Sequence, residues 1–181
     1  MVKERSRQHL DVQVGPMRRR HIPAVLRIEA KVYPRPWSAG LFLSELAQKG
    51  SRAYLTARHS GRVVGYAGVM ILGDEGHITN VAVDPDFHRN KVATRLLIAL
   101  IEESRTRGVR SMTLEVRRAN NGAQALYRGF GFQTVGVRRG YYVETGEDAY
   151  IMYAEGVWTS GYQRRLERIS ASLDAEPPSD G

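Results

Sequence analysis

Residues 79–97, Thr-Asn-Val-Ala-Val-Asp-Pro-Asp-Phe-His-Arg-Asn-Lys-Val-Ala-Thr-Arg-Leu-Leu, constrain this chain more tightly than any other stretch. An apolar strand carrying Val81 and Val83 runs into an Asp84-Pro85-Asp86 turn. A short basic loop then leads into a helix whose inward stripe reads Val92, Leu96, Ala99 and Leu100. The first turn of a helix leaves backbone N–H groups unpaired and carries partial positive charge. Arg89 and Lys91, delivered beside those donors, suit a pyrophosphate. Taken alone, the same pattern also fits an ordinary strand–turn–helix with no ligand.

The flanking sequence extends this unit into an α/β order. Asp11–Gly15 alternates as a first strand, and Pro23 suits the first turn of a helix with Val25, Ile28 and Val32 inward. Tyr33-Pro-Arg-Pro-Trp37 breaks that helix. Ser38 caps a second one carrying Leu41, Leu43 and Leu46. Ala53–Arg58 and Val63–Leu72 form a hairpin across Ser60-Gly61, and Gly76–Val83 is the strand that opens the central unit. After the helix at about 92–107 come a strand at Ser111–Arg117, a helix at Asn120–Phe130, and strands at Phe132–Val137 and Asp148–Tyr153.

Composition narrows the function classes. A chain of 181 residues supports one core. No apolar run approaches the roughly 18 residues of a membrane helix, so no membrane role is expected. The N-terminus lacks the apolar stretch of a secretory signal, which makes the cytoplasm the expected location. Without cysteine there is no disulfide, thiolate metal site or cysteine nucleophile, and the five histidines show no ligand spacing, so no metal is expected. The net charge of +8 favours anionic partners. The arginine clusters at 18–20, 138–139 and 164–165 are not interleaved with aromatics, so nucleic acid is not the expected substrate.

The central stretch resembles the acyl-CoA-binding segment of the GNAT N-acetyltransferases, R/Q-x-x-G-x-G/A. His88 takes the first position, Arg89 follows and Ala93 takes the final small position. Lys91 stands where the family has glycine, adding bulk and a cation. The resemblance implies the GNAT acyl-CoA N-acyltransferase fold over residues 10–156, with a mixed, mostly antiparallel sheet and flanking helices. It also implies acetyl-CoA as co-substrate, held by Val81, Ala82 and Val83, by Arg89 to Thr94 (Arg89, Asn90, Lys91, Val92, Ala93, Thr94), and by Asn120. Beyond that domain, Trp158, Tyr162, Leu166, Ile169 and Leu173 form one stripe of an amphipathic helix over 157–173. Residues 1–9 read as a flexible start and 174–181 as a disordered tail.

Glu115 alternates outward from Met112, Leu114 and Val116, a pattern equally suited to a solvated strand carboxylate. Tyr127 falls on the inward face of its helix with Ala123, Leu126 and Phe130, where a core tyrosine is ordinary. Leu-Glu-Val-Arg117, Asn120 and Ala125-Leu-Tyr127 together resemble a narrower group, the ribosomal-protein-alanine N-acetyltransferases of the RimI type. That resemblance assigns Glu115 as base and Tyr127 as acid. Tyr33-Pro-Arg-Pro-Trp-Ser38, Arg138-Arg-Gly-Tyr-Tyr142 and Glu147–Met152 resemble further segments of the same group, implying that Tyr33, Trp37, Tyr141 and Tyr142 flank the acceptor. The implied acceptor is a protein or peptide N-terminus, usually of a small-subunit ribosomal protein. Gly76-His-Ile-Thr-Asn80 is more similar to archaeal and eukaryotic N-terminal acetyltransferases, which makes His77 a rival base. A GNAT enzyme for small amines or lysine side chains and a non-catalytic GNAT-fold binding module remain the alternatives.

Overall fold

A computed structural model describes residues 10–175. The expectation for residues 1–9, and that for the tail beyond 175, lie outside the described residues. Seven strands form one sheet: β1 (Gln13–Pro16), β2 (Arg52–His59), β3 (Arg62–Leu72), β4 (Glu75–Val83), β5 (Ser111–Arg117), β6 (Gln133–Tyr142) and β7 (Glu147–Glu155). Their order is β1-β2-β3-β4-β5-β7-β6, and every pairing is antiparallel except β4 with β5. That parallel pair is joined by α3 (Val92–Thr106), the helical crossover that adjacent parallel strands require.

The parallel join is short. Only Glu75, Gly76 and His77 pair with Ser111, Met112 and Thr113. Beyond that rung β4 follows β3 while β5 follows β7, and a wedge opens between the two strands. On the β3 side the register slips between Gly68 and Val69, leaving Thr79 as the extra residue of a bulge between Ile78 and Asn80. Gly68 is required there, because a Cβ would lie 2.2 Å from the Tyr54 ring.

Each face of the sheet has its own core. Against α3, α4 (Asn121–Gly129) and α5 (Ser160–Asp174) lie Leu96, Leu97, Leu100, Ile101, Met112, Leu114, Phe130 and Met152. Each such side chain contributes about 1.5–3 kcal/mol on burial. The inward stripe of α3 is wider than expected: Leu97 and Ile101 are fully buried and Ala99 only partly so. Against α1 (Ile22–Val32) and α2 (Ala39–Ala47) lie Val25, Ile28, Phe42, Tyr54 and Tyr66. Ser38 caps α2 through its Oγ, which accepts from Leu41 N at 3.2 Å. The expected stripe of that helix needs correction, since Phe42 is its buried anchor and Leu41 is 40% exposed. The rotation follows from aromatic packing: Phe42 sets its edge against Tyr54 and Tyr66.

α5 starts later than the sequence stripe suggests. Thr159 Oγ1 accepts from Tyr162 N at 3.2 Å and caps the helix, leaving Trp158 outside it and stacked with Arg110. Tyr162 and Leu166 are buried, and the Tyr162 hydroxyl donates to Phe130 O. This helix therefore packs on the protein's own core. Among the described residues no helix is long and apolar enough to cross a membrane.

Candidate active site

The wedge between β4 and β5 is the floor of a cavity of about 430 Å³. Tyr33 and Trp37 reach it from the α1–α2 junction, His77, Asn80 and Val81 from β4, and Glu115 and Arg117 from β5. Asn120 and Tyr127 of the α4 region and Tyr141 and Tyr142 of β6 complete the wall. Of the expected site residues, the structure thus brings Glu115, Tyr127, Tyr33, Trp37, Tyr141, Tyr142, Val81 and Asn120 together. Ala82, Val83 and residues 89–94 do not line this cavity. The Ala82 side chain is buried in the core under α1, and the others lie further along β4 and at the start of α3.

Glu115 is nearly enclosed, its side chain 10% exposed. His77 Nε2 lies 3.0 Å from Glu115 Oε2, and Arg138 Nε lies 3.3 Å from Oε1. The leading and rival bases are therefore in contact. The register explains this: His77 sits at the last paired rung, opposite Thr113, and its side chain reaches Glu115 across the opening. Leu114 and Val116 belong to the core under α3, so Glu115 faces the opposite side of the sheet, towards α1 and α2.

Tyr127 approaches from the other face. It is buried against Phe132, and burial pushes its phenol well above the ordinary tyrosine range, so it keeps its proton at neutral pH. Asn120 caps α4, its Oδ1 accepting from Ala123 N at 3.1 Å. The wedge thus has a carboxylate with its imidazole on one side and a protonated phenol on the other.

The rim of the cavity is fastened by charge. Arg117 donates to Glu144 at 2.6 Å and to Glu147 at 3.2 Å, and its guanidinium lies 3.8 Å from the centre of the Tyr142 ring. These contacts pin the β6–β7 hairpin over β5. Burial pushes the Tyr142 phenol up to about 12. Across the cavity the Tyr33 hydroxyl donates to Val81 O at 3.3 Å, joining the α1–α2 junction to β4.

Glu29 is a residue that sequence reasoning missed. It is 1% exposed, accepts from Trp37 N at 2.7 Å and from the Tyr66 hydroxyl, and lines the same cavity. Burial pushes its carboxyl above the usual range. The signal was available, because Glu29 completes the spacing of Val25, Ile28 and Val32, which places a carboxylate on the inward stripe of α1.

The loop before α3 offers a second kind of site. Asn90 Nδ2 donates to Phe87 O and His88 O, folding the loop, and Arg89 and Lys91 both adopt positive φ, 65° and 58°. Lys91 occupies the left-handed region that glycine would reach at no steric cost, so the backbone follows the path of the glycine motif despite the side chain. No side chain caps α3, and Arg95 N is the donor that first bonds back, to Lys91 O. The N–H groups of the first turn, with two cations beside them, fit a phosphate group. Among the described residues no grouping of carboxylates and imidazoles could hold a metal ion.

The sequence pattern of the acetyltransferase (GNAT) family matches residues 22–132. The chain belongs to that family. It is an acetyl-CoA-dependent N-acetyltransferase, with the mixed, mostly antiparallel sheet and flanking helices of the GNAT fold. It is 38% identical over 133 residues to the ribosomal protein bS18-alanine N-acetyltransferase of Escherichia coli K12, covering 72% of this chain and 88% of that one. It is 39% identical over 147 residues to N-alpha-acetyltransferase RimI of Mycobacterium tuberculosis, covering 78% and 90%. The crystal structure of the Escherichia coli ribosomal-protein-S18-alanine N-acetyltransferase superposes with a TM-score of 0.73 at 33% identity, covering 80% of this chain and 94% of that one. The RimI-type resemblance read from the sequence is thereby shown for this N-acetyltransferase, and a non-catalytic module is no longer the reading to test.

Proposed function

We propose that this acetyltransferase modifies the N-terminal α-amine of a protein, in the cytoplasm, with a small-subunit ribosomal protein as the acceptor. The observation that carries this is one cavity in which Glu115 and Tyr127 meet aromatic side chains from the α1–α2 junction and from the end of β6. Tyr33 and Trp37 on one side and Tyr141 and Tyr142 on the other leave a channel suited to an extended N-terminus. The hydroxyls of Tyr141 and Tyr142 can bond its first peptide units, and little room remains for a bulky first residue. Alanine or serine fits such a channel.

Catalysis follows from the groups already placed. Glu115 takes a proton from the acceptor amine, whose nitrogen forms a bond to the thioester carbonyl carbon. The carbon–sulfur bond breaks, and Tyr127 supplies a proton to the departing sulfur. At pH 7 freeing an α-amine costs about 1 kcal/mol and freeing a lysine amine about 4.6. An α-amine therefore asks less of its base than a lysine amine does.

The residues fit acetyl-CoA as an extended molecule. Arg89, Lys91 and the first-turn N–H groups of Val92, Ala93 and Thr94, on the loop shaped by Asn90, would hold its phosphates. The β4 edge at Val81–Val83 and Asn120 would flank the arm within the wedge. Residues 10–156 form the catalytic domain in this reading, with α5 as a docked extension. Acetyl-CoA turnover against N-terminal peptides, lysine peptides and polyamines tests it. Preference for alanine- or serine-initiated peptides is expected. Preferred acetylation of internal lysines or of spermidine would overturn the acceptor assignment and leave a GNAT enzyme of another acceptor class.

A further inference from the structure

Asn80 is 7% exposed and lines the active-site cavity, yet its Oδ1 has no hydrogen-bond partner among the described residues. A buried carbonyl oxygen left open costs about 1–3 kcal/mol. Three other polar groups of the cavity wall are engaged: Thr79 Oγ1 with the Tyr54 hydroxyl at 3.4 Å, Glu29 with Trp37 N and Tyr66, and Glu115 with His77 and Arg138. Asn80 is the one in this group whose acceptor is kept free.

The bulge decides which way it faces. Ile78 packs in the core under α3, whereas Ala82 packs in the core under α1 and α2. Even spacing along a regular strand would keep both on one face. The extra residue, Thr79, reverses the alternation, so Asn80 lies on the α1–α2 side. Its cross-strand partner confirms this. Asn80 pairs with Gly68, whose missing Cβ would strike Tyr54, a member of the α1–α2 core. Glu115 and His77 share that side, while Tyr127 lies across the sheet. Asn80 therefore opens on the same side of the wedge as the base, opposite the phenol.

We propose that Asn80 Oδ1 is the receptor for the acceptor's amino group, taking one N–H of a primary amine while Glu115 takes another hydrogen as a proton. The inference rests on the assignment of the Glu115 side to the acceptor. A carboxamide suits this role. It aligns the nitrogen lone pair without the negative charge that would hold the amine protonated, and it still has an N–H to grip once the proton has left. The attacking species is the neutral amine. Once Glu115 has taken one of its hydrogens, a primary nitrogen keeps an N–H for Asn80 and an N-methylated one keeps none, so this contact selects primary amines over N-methylated ones.

The test compares an alanine-initiated peptide with its N-methylalanine counterpart, using wild type, Asn80→Ala and Asn80→Asp. Wild type is expected to favour the primary amine. In Asn80→Ala, kcat/KM for the primary amine falls about 5–150-fold, the range set by one open buried acceptor. The same variant narrows the primary-to-secondary ratio and leaves the dissociation constant of acetyl-CoA unchanged. Asn80→Asp lowers kcat and moves the acidic limb of the pH–rate profile to higher pH, because the added charge holds the amine protonated. Weakened acetyl-CoA binding with an unchanged acceptor KM would overturn the proposal, assigning Asn80 to the co-substrate. Equal losses for both peptides, accompanied by a lower melting temperature, would overturn it in favour of a structural role. Failure of wild type to turn over any N-terminal peptide strikes the acceptor reading instead. The amine contact is then probed with whichever primary amine is turned over, and an unaltered KM for that amine in Asn80→Ala would overturn it.

Discussion

The two faces of the sheet are built from different chemistry. Under α3, α4 and α5 the core is aliphatic and aromatic, and Ser104 satisfies its hydroxyl within its own helix on Leu100 O. Under α1 and α2 the core is aromatic and threaded with polar groups: Glu29 to Tyr66 and Trp37, and Tyr54 to Glu45. The first face holds the helix whose start offers a phosphate site. The second carries the carboxylates and the aromatic loop that face the cavity. The contrast separates fold from specificity: one face makes the sheet rigid, and the other shapes what can enter the wedge.

The largest expected effect breaks that comparison at its centre. Glu115→Gln should lower kcat by about 10²–10⁴, or roughly 3–5.5 kcal/mol of barrier, with acetyl-CoA binding nearly intact. The deficit should shrink as pH rises, since the amine then loses its proton unaided. A His77→Ala variant more crippled than Glu115→Gln would exchange the two assignments. On the aliphatic face, Leu100→Ala should cost about 2–5 kcal/mol of stability in denaturant melts and leave the KM of the acceptor unchanged.

Glu29 sharpens the comparison because it is an ionisable carboxyl inside a core. Its carboxyl is raised by burial, so the folded state favours the protonated form. The contribution of this group to stability is greatest below the ordinary glutamate pKa and is lost as pH rises through the raised value. Wild type minus Glu29→Gln stability should therefore decline from pH 4 upward, by about 1–3 kcal/mol overall, the size of one buried group. A flat difference would mean that the carboxyl titrates normally. Smaller still is the effect at the phosphate loop. Lys91→Glu should weaken acetyl-CoA by about 1–2 kcal/mol through charge reversal near the surface, measured by calorimetry. Lys91→Gly should be tolerated, since relief of the left-handed φ offsets the lost cation. Equal affinities for wild type and Lys91→Glu would remove the loop from the phosphate site.

The order of elements was readable because local signals carry it: Pro23 and Ser38 at helix starts, Ser60-Gly61 at a hairpin turn with φ of 48° and 78°, and alternation in β5. The family motifs named Glu115 and Tyr127, and the structure places both at one cavity. Three features were hidden because they depend on distant parts of the chain. The contact of His77 with Glu115 follows from a parallel register. The facing of Asn80 depends on a bulge opposite Gly68, and the rotation of α2 onto Phe42 on rings contributed by β2 and β3. Trp158 misled for a local reason, since Thr159 caps a helix that begins only at Ser160.

The short parallel seam has a mechanical meaning. Among the described residues, three ladder rungs, closed at their end by the backbone bonds of Arg110 N and Ser111 N to Asp74 O, tie the four-stranded plate β1–β4 to the three-stranded plate β5–β7. Past His77 no ladder rung joins the plates, and the core under α3, which draws residues from both, holds them together. An extended molecule lying along the β4 edge would act as an additional strand, stitching together amides that now lack a cross-strand neighbour. Binding then stiffens both plates at once, so protection from hydrogen exchange should spread from β4 into β5 and β7 when the wedge is filled. The split that lets substrates in is also where a bound one adds to the molecule's cohesion.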